Sequence, residues 1–255
     1  MGTGAITQYV DVAQIVLYLF WAFFAGLIYY LVRENHREGY PMDVEGPRTN
    51  PIMGWPVPDP KTYLLHDGSS VNKPDFKPDP APYAAEPGHR YIGAPLVPVG
   101  DPMKASVGPG AYAMRADRPD VDPDGHAKIV PLSTLADFGI AAQDTDPRGL
   151  EVIGADGEVG GIVRDLWIDR SEMLIRYLEL DTPTATGPRR VLLPMAFCRV
   201  GRRGVKVQSI HGHQFANAPG VRLPGYITLL EEEKVVAYYG AGTLYADPER
   251  AEPLF

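Results

Sequence analysis

Cysteine is nearly absent: Cys198 is the only one in 255 residues. One thiol excludes an internal disulfide and a Cys-x-x-Cys metal site, and it agrees with a reducing compartment. Positive charge is in deficit too. The 24 Lys and Arg against 32 Asp and Glu give a formal net charge of −8, which excludes a general nucleic-acid binder. No phosphate-binding glycine loop, nucleophile elbow or zincin motif occurs, so nothing in the residues alone demands an enzyme. Residues 1–11 hold no Lys or Arg, and Ile15 to Val32 carry no charge at all.

That last absence defines the principal feature. Val12–Val32 is an apolar run that makes a helix of roughly 30 Å, the thickness of a bilayer's hydrocarbon core. In lipid its backbone must satisfy its own hydrogen bonds, so it is predicted helical throughout. A cleaved signal peptide needs a basic start and a shorter apolar core, and this run has neither. It is therefore expected to stay as an anchor. Arg33 and Arg37 follow the span and none precede it, which predicts the N-terminus outside and the remainder in the cytoplasm. Tyr29 and Tyr30 suit one interface and Tyr9 the other. Ala22 and Gly26 form a small-xxx-small pair, and Trp21 sits near mid-span, so partner helices are expected.

The organisation expected beyond a tail at 1–11 and the span at 12–32 has three parts. Residues 33–131 are rich in Pro and Gly, yet Trp55, Tyr63, Leu64, Leu65, Tyr83, Tyr91, Ile92 and Leu96 are too apolar for a solvated linker. An extended segment lying on another protein fits them. Arg37-Glu38-Gly39-Tyr40-Pro41 should end the helix, and Tyr63 to Gly68 reads as a strand entering a turn.

Residues 132–246 read as a small barrel or rolled sheet with a C-terminal helix. Strands are expected over Glu151–Gly154, Val159–Ile168, Met173–Leu180, Arg190–Val200 and Gly204–Ile210. Asp156-Gly157 and Asp169-Arg170-Ser171 are turn signals, and Thr182-Pro183 and Gly187-Pro188 mark a loop. Ile227–Tyr239 should be helical, with Thr228 and Glu231 as a capping box and Leu229, Leu230, Val235, Val236 and Tyr239 on the apolar side. Pro248 and Pro253 leave 247–255 as a loose tail.

Three clusters carry possible chemistry. Asp122, Asp124 and His126, with Lys128, place carboxylates beside an imidazole. They suit proton handling or a weak metal site, although a polar turn uses the same residues and the spacing is not that of an EF-hand. His211-Gly212-His213 offers two imidazoles with no nearby third ligand, as in a surface turn. Asp169, Glu172 and Arg176 surround the start of a strand, with Glu172 and Arg176 expected on one face and able to form an exposed salt bridge.

Several stretches together resemble the H subunit of the purple-bacterial photosynthetic reaction centre. They are Phe24 to Tyr30, Arg37 to Pro41, Gly100-Asp101-Pro102-Met103, Val107-Gly108-Pro109, Asp165 to Asp169, Arg176 to Glu179, Leu229 to Lys234 and Tyr245-Ala246. The match runs in order along nearly the whole chain and is weakest over 44–90. It implies a single N-terminal transmembrane α-helix plus a mainly β cytoplasmic domain, a PRC-barrel-like small barrel, with a C-terminal helix. It also implies an accessory subunit without a catalytic site, in a bacterial intracytoplasmic photosynthetic membrane. Such a subunit caps the L and M subunits and helps deliver protons to the secondary quinone. No cofactor is expected on this chain. Bacteriochlorophyll, bacteriopheophytin, quinones and non-haem iron belong to the partner subunits, with a cytochrome subunit and light-harvesting antenna as further neighbours. The resemblance assigns Asp169, Glu172 and Arg176 to the proton route below the quinone, and His126, Lys128 and Asp122 to its entrance. Asp124 stands where family members carry a second His, which weakens a transition-metal site but leaves proton collection by carboxylates. A membrane-tethered barrel serving as adaptor for another assembly shares the anchor and barrel but has no pigmented partners.

Overall fold

The computed structural model describes residues 4, 6–7, 10–40, 54–76, 83–91 and 94–251. The expectations for Tyr9, Pro41, Ile92 and Pro253 lie outside the described residues. The chain packs as two compact units, Met1–Asp79 with Arg90–Gly93, and Pro80–His89 with Ala94–Phe255. The Pro/Gly-rich stretch over 33–131 is therefore shared between them.

In the first unit, helix α1 (Val12–Asn35) starts where the Asp11 carboxylate accepts from the Gln14 N–H at 2.7 Å. The amide of Gln14 donates to the Tyr18 hydroxyl at 2.8 Å, so this polar side chain near the start of the span finds a partner within its own helix. No residue of α1 is buried, and its length and hydropathy suffice to cross a membrane. The helix runs one turn past the apolar stretch. It ends at His36, whose N–H reaches the carbonyls of Arg33 and Glu34, with Gly39 at φ 81° in the turn beyond.

Strands β1 (Lys61–Leu64) and β2 (Ser70–Lys73) form the hairpin foreshadowed at Tyr63 to Gly68. Arg37 binds it to the end of α1. Its guanidinium donates to the carbonyls of Asp59 (2.8 Å) and Lys73 (2.9 Å) and grips both carboxylate oxygens of Glu34 at 2.9 Å. Arg37 is 6% exposed, so this basic residue of the helix collar is a buried hub. A planar fork with five donors makes these bonds together, which an ammonium cannot do. Arg37→Ala and Arg37→Lys are both expected to speed amide exchange in β1 and β2 by at least about tenfold, since each charge-assisted bond contributes about 1.5–3 kcal/mol. Unchanged protection in Arg37→Lys would show that charge alone suffices.

The second unit contains β3 (Ala85–Pro87) paired with β4 (Leu96–Pro98), and one larger sheet. That sheet is built from β5 (Ile129–Pro131), β6 (Glu151–Ile153), β7 (Val159–Asp169), β8 (Leu174–Thr184), β9 (Gly187–Pro194), β10 (Cys198–Gly201) and β11 (Gly204–Val207). Its order is β10-β11-β6-β7-β8-β9, with β5 on the end of β7. The two ends of this order are joined by only the short turn Met195–Phe197, so the sheet is rolled.

Several strand limits differ from the sequence expectation. β8 continues through Thr182-Pro183 because Pro183 sits opposite Pro188 at the end of a hairpin, where missing N–H groups cost little. The expected strand Arg190–Val200 is two strands, broken after Pro194. β8 begins at Leu174, so Glu172 and Met173 lie in the preceding turn.

Leu166, Trp167 and Ile168 are buried in succession, which means both faces of β7 are covered near its end. Helix α2 (Leu229–Tyr245) closes the core with Val235, Tyr239 and Ala241. The capping box forms as the sequence predicts: Glu231 N–H to Thr228 Oγ1 at 3.1 Å, and Thr228 N–H to Glu231 Oε2 at 3.0 Å. α2 runs beyond Tyr239 because Gly242 lets it lie against Ile210. Val236 is 42% exposed, off the buried face expected for it. Burial pushes the Cys198 thiol up to about 11, which keeps it protonated and unreactive.

Candidate functional site

The pairing of β5 with β7 builds the site. Ile129 lies opposite Asp169, so the segment ending at Lys128 is carried to the β7–β8 turn. Within that segment Lys128 N–H donates to the Asp120 carbonyl at 2.9 Å and Asp122 N–H to the His126 carbonyl at 2.8 Å. The Asp122 carboxylate accepts from the N–H groups of Asp124 (3.0 Å) and His126 (2.9 Å), and lies 3.6 Å from His126 Nδ1. The His126 N–H, then burial acting the other way, then the imidazole govern Asp122, and the net effect holds its carboxyl below the usual range. Asp122, Asp124 and His126 bring one donor atom each within 4.8 Å of one another.

The turn after β7 is held by Asp169. Its buried carboxylate accepts from the N–H groups of Ser171 (2.9 Å) and Glu172 (3.1 Å), and its carbonyl accepts from Met173 N–H at 2.8 Å. Glu172 is therefore presented from a turn, not from the strand as its spacing suggests. It still meets Arg176, at 4.0 Å across exposed side chains.

Arg170 and Lys128 join the two groups. Arg170 N–H donates to the Lys128 carbonyl at 2.9 Å, and its guanidinium lies 3.7 Å from Asp122. The Lys128 ammonium donates to Asp120 at 2.7 Å. That bond, reinforced by the charges of Asp169 and Glu172, raises its pKa. All seven residues expected for the proton route thus fall in one connected region.

The region extends into a cavity of about 390 Å³ lined by Arg115, Arg176, Tyr177, Glu232, Glu233 and Val236, among others. Glu232 is half-buried and accepts from the Tyr177 hydroxyl at 3.0 Å. Burial raises its pKa, opposed by the Tyr177 bond and the charges of Arg176 and Arg115. Sequence reasoning missed Asp120, Arg170, Arg115, Tyr177 and Glu232. Arg170 was visible only as part of a turn, and Glu232 only as one acid in a helical run.

A raised acid pKa means that the folded state binds more protons than the unfolded state above the usual carboxyl value. Stability then falls as pH rises from that value to the folded pKa, and levels off above it. Glu232→Gln keeps an acceptor for Tyr177 and removes this slope. The variant should gain stability over the native chain as pH rises above about 4.5. Urea midpoints at pH 5 to 8 check this, and parallel curves would refute it.

His211-Gly212-His213 is more than the isolated pair expected. Asp156, far upstream, brings its carboxylate to 4.0 Å from His211 Nδ1.

A family model described as the photosynthetic reaction centre, H-chain N-terminal region, matches residues 4–134. A second, for the PRC-barrel domain, matches residues 141–214.

Proposed function

The chain belongs to the photosynthetic reaction centre H-chain family, and from that premise we propose that it caps the cytoplasmic face of the L and M subunits, stabilises them and passes protons toward the secondary quinone. As an H chain it is a non-catalytic subunit that associates with other reaction-centre subunits and is bound to the membrane by one helix. In this reading the pigments, quinones and non-haem iron are held by the partners.

The observation that carries the proton role is the meeting of the 120–128 segment with the β7–β8 turn. Protons arriving from water are collected by His126, Asp122 and Asp124 at the exposed end. Asp120 and Lys128 keep charge of both signs along the way, Asp169 holds the turn, and Glu172 and Arg176 stand at the far end. A relay needs titratable groups and ordered waters within hydrogen-bond reach: Lys128 and Asp120 meet at 2.7 Å, and the wider separations, 3.6 Å for His126–Asp122 and 4.0 Å for Arg176–Glu172, call for a bridging water. The capping role is supported by apolar side chains left in water in the first unit: Trp55 and Leu64 are each 83% exposed.

The orientation follows from Arg33 and Arg37 after the span. Protease added to spheroplasts should leave the 94–251 region intact. Mild solubilisation and purification of the tagged chain should yield a preparation with near-infrared bacteriochlorophyll bands. A colourless one would favour the adaptor reading.

A further inference from the structure

We propose that Asp156, His211 and His213 form a binding site for a late first-row divalent cation such as Zn2+. Their donor atoms, one from each residue, lie within 4.8 Å of one another. The two imidazole rings are 5.9 Å apart at 74°. Ligand atoms on a tetrahedral Zn2+ with bonds of about 2.0–2.1 Å stand about 3.3 Å apart, so modest side-chain rotations close the set. Two imidazole nitrogens and one carboxylate oxygen suit Zn2+, Ni2+ or Cu2+ and not Mg2+ or Ca2+, which take oxygen.

The backbone holding these donors is already fixed. Asp156 belongs to the β6–β7 turn, and the two histidines flank Gly212 after the last strand. Ala155 N–H donates to the Ile210 carbonyl at 2.9 Å, and Gly212 N–H donates to both oxygens of Asp156 at 3.0 and 3.2 Å. Glu158 N–H adds a third bond to that carboxylate at 3.2 Å. A Cβ on Gly212 would stand 2.8 Å from Glu158 Cβ, so glycine permits the close approach of the two segments. Ile210 and Phe215, both fully buried, anchor the histidine segment on either side. Hydrogen-bonded ligands on rigid segments lose little freedom on binding. A turn held by Asp156 and Gly212 has no use for His213, whereas a chelate does.

The test uses the full chain in its purified membrane complex. His126→Ala first removes the imidazole of the other donor cluster. Zn2+ alone is then titrated by calorimetry, with Zn K-edge absorption to count imidazole ligands. One ion bound through two imidazole nitrogens is expected. Adding His213→Ala should weaken that ion at least about tenfold, and so should Asp156→Asn, since even outer-shell changes cost about 10–100-fold. His213 is exposed, so its loss leaves the fold in place. Equal Zn2+ affinity and stoichiometry in His126→Ala and His126→Ala/His213→Ala would overturn the proposal.

Discussion

Gly160→Ala is expected to destabilise the rolled sheet by about 1–3 kcal/mol, and Gly160→Val by more. Gly160 is in β7 beneath Phe215. A Cβ added there would overlap Phe215 Cδ2 and stand 2.6 Å from Cε2. Phe215 is fully buried and anchors the short helical turn Gly212–Asn217, so the ring cannot swing into water without opening the core. The interior is packed to crystal-like density, and the added methyl group must displace a neighbour or the strand itself. The double variant Gly160→Ala/Phe215→Leu should recover part of the loss, because the smaller side chain vacates the space the methyl needs. Denaturant unfolding followed by the fluorescence of buried Trp167 gives both values. If the double variant is simply the sum of the single ones, the clash is not the cause.

Glu172→Gln should slow the second, proton-coupled electron transfer to the secondary quinone by about tenfold and leave the initial charge separation unchanged. A solitary acid–base group is worth about 10²–10⁴. Here Glu232, whose pKa burial raises, stands nearby as an alternative carrier, which lowers the expected loss. Glutamine keeps the volume and an acceptor for Arg176, so the turn is preserved. Asp169→Asn is the contrasting variant. Asp169 is buried and spends its carboxylate on the N–H groups of Ser171 and Glu172, so it should act through the shape of the turn. His126→Ala should have the smaller effect, because Asp122 and Asp124 remain to collect protons. Flash-induced quinone kinetics with a pH dye measures all three. Native rates in Glu172→Gln across pH 6 to 9 would make the residue structural.

What the sequence determined by itself is what local forces decide. An uncharged run of bilayer length has only a helix available to it. Thr228 and Glu231 are spaced to cap a helix, and Asp156-Gly157 to turn a chain, with Gly157 at φ 83°. The residues proposed for the proton route were also legible, but through family resemblance and as two separate groups. Only the tertiary structure joined them, because the register that sets Ile129 opposite Asp169 arises from burying Ile129, Trp167 and Ile168 in a common core. Register between distant strands leaves no mark at either segment alone. The same holds for Glu232, one of three consecutive acids until α2 turns it toward Tyr177. It holds for Arg37, a collar charge until the hairpin carbonyls converge on it. Asp156 likewise was a turn residue in sequence, and it became a third donor for His211 and His213 only when the backbone bonds Ala155–Ile210 and Gly212–Asp156 drew two distant loops together.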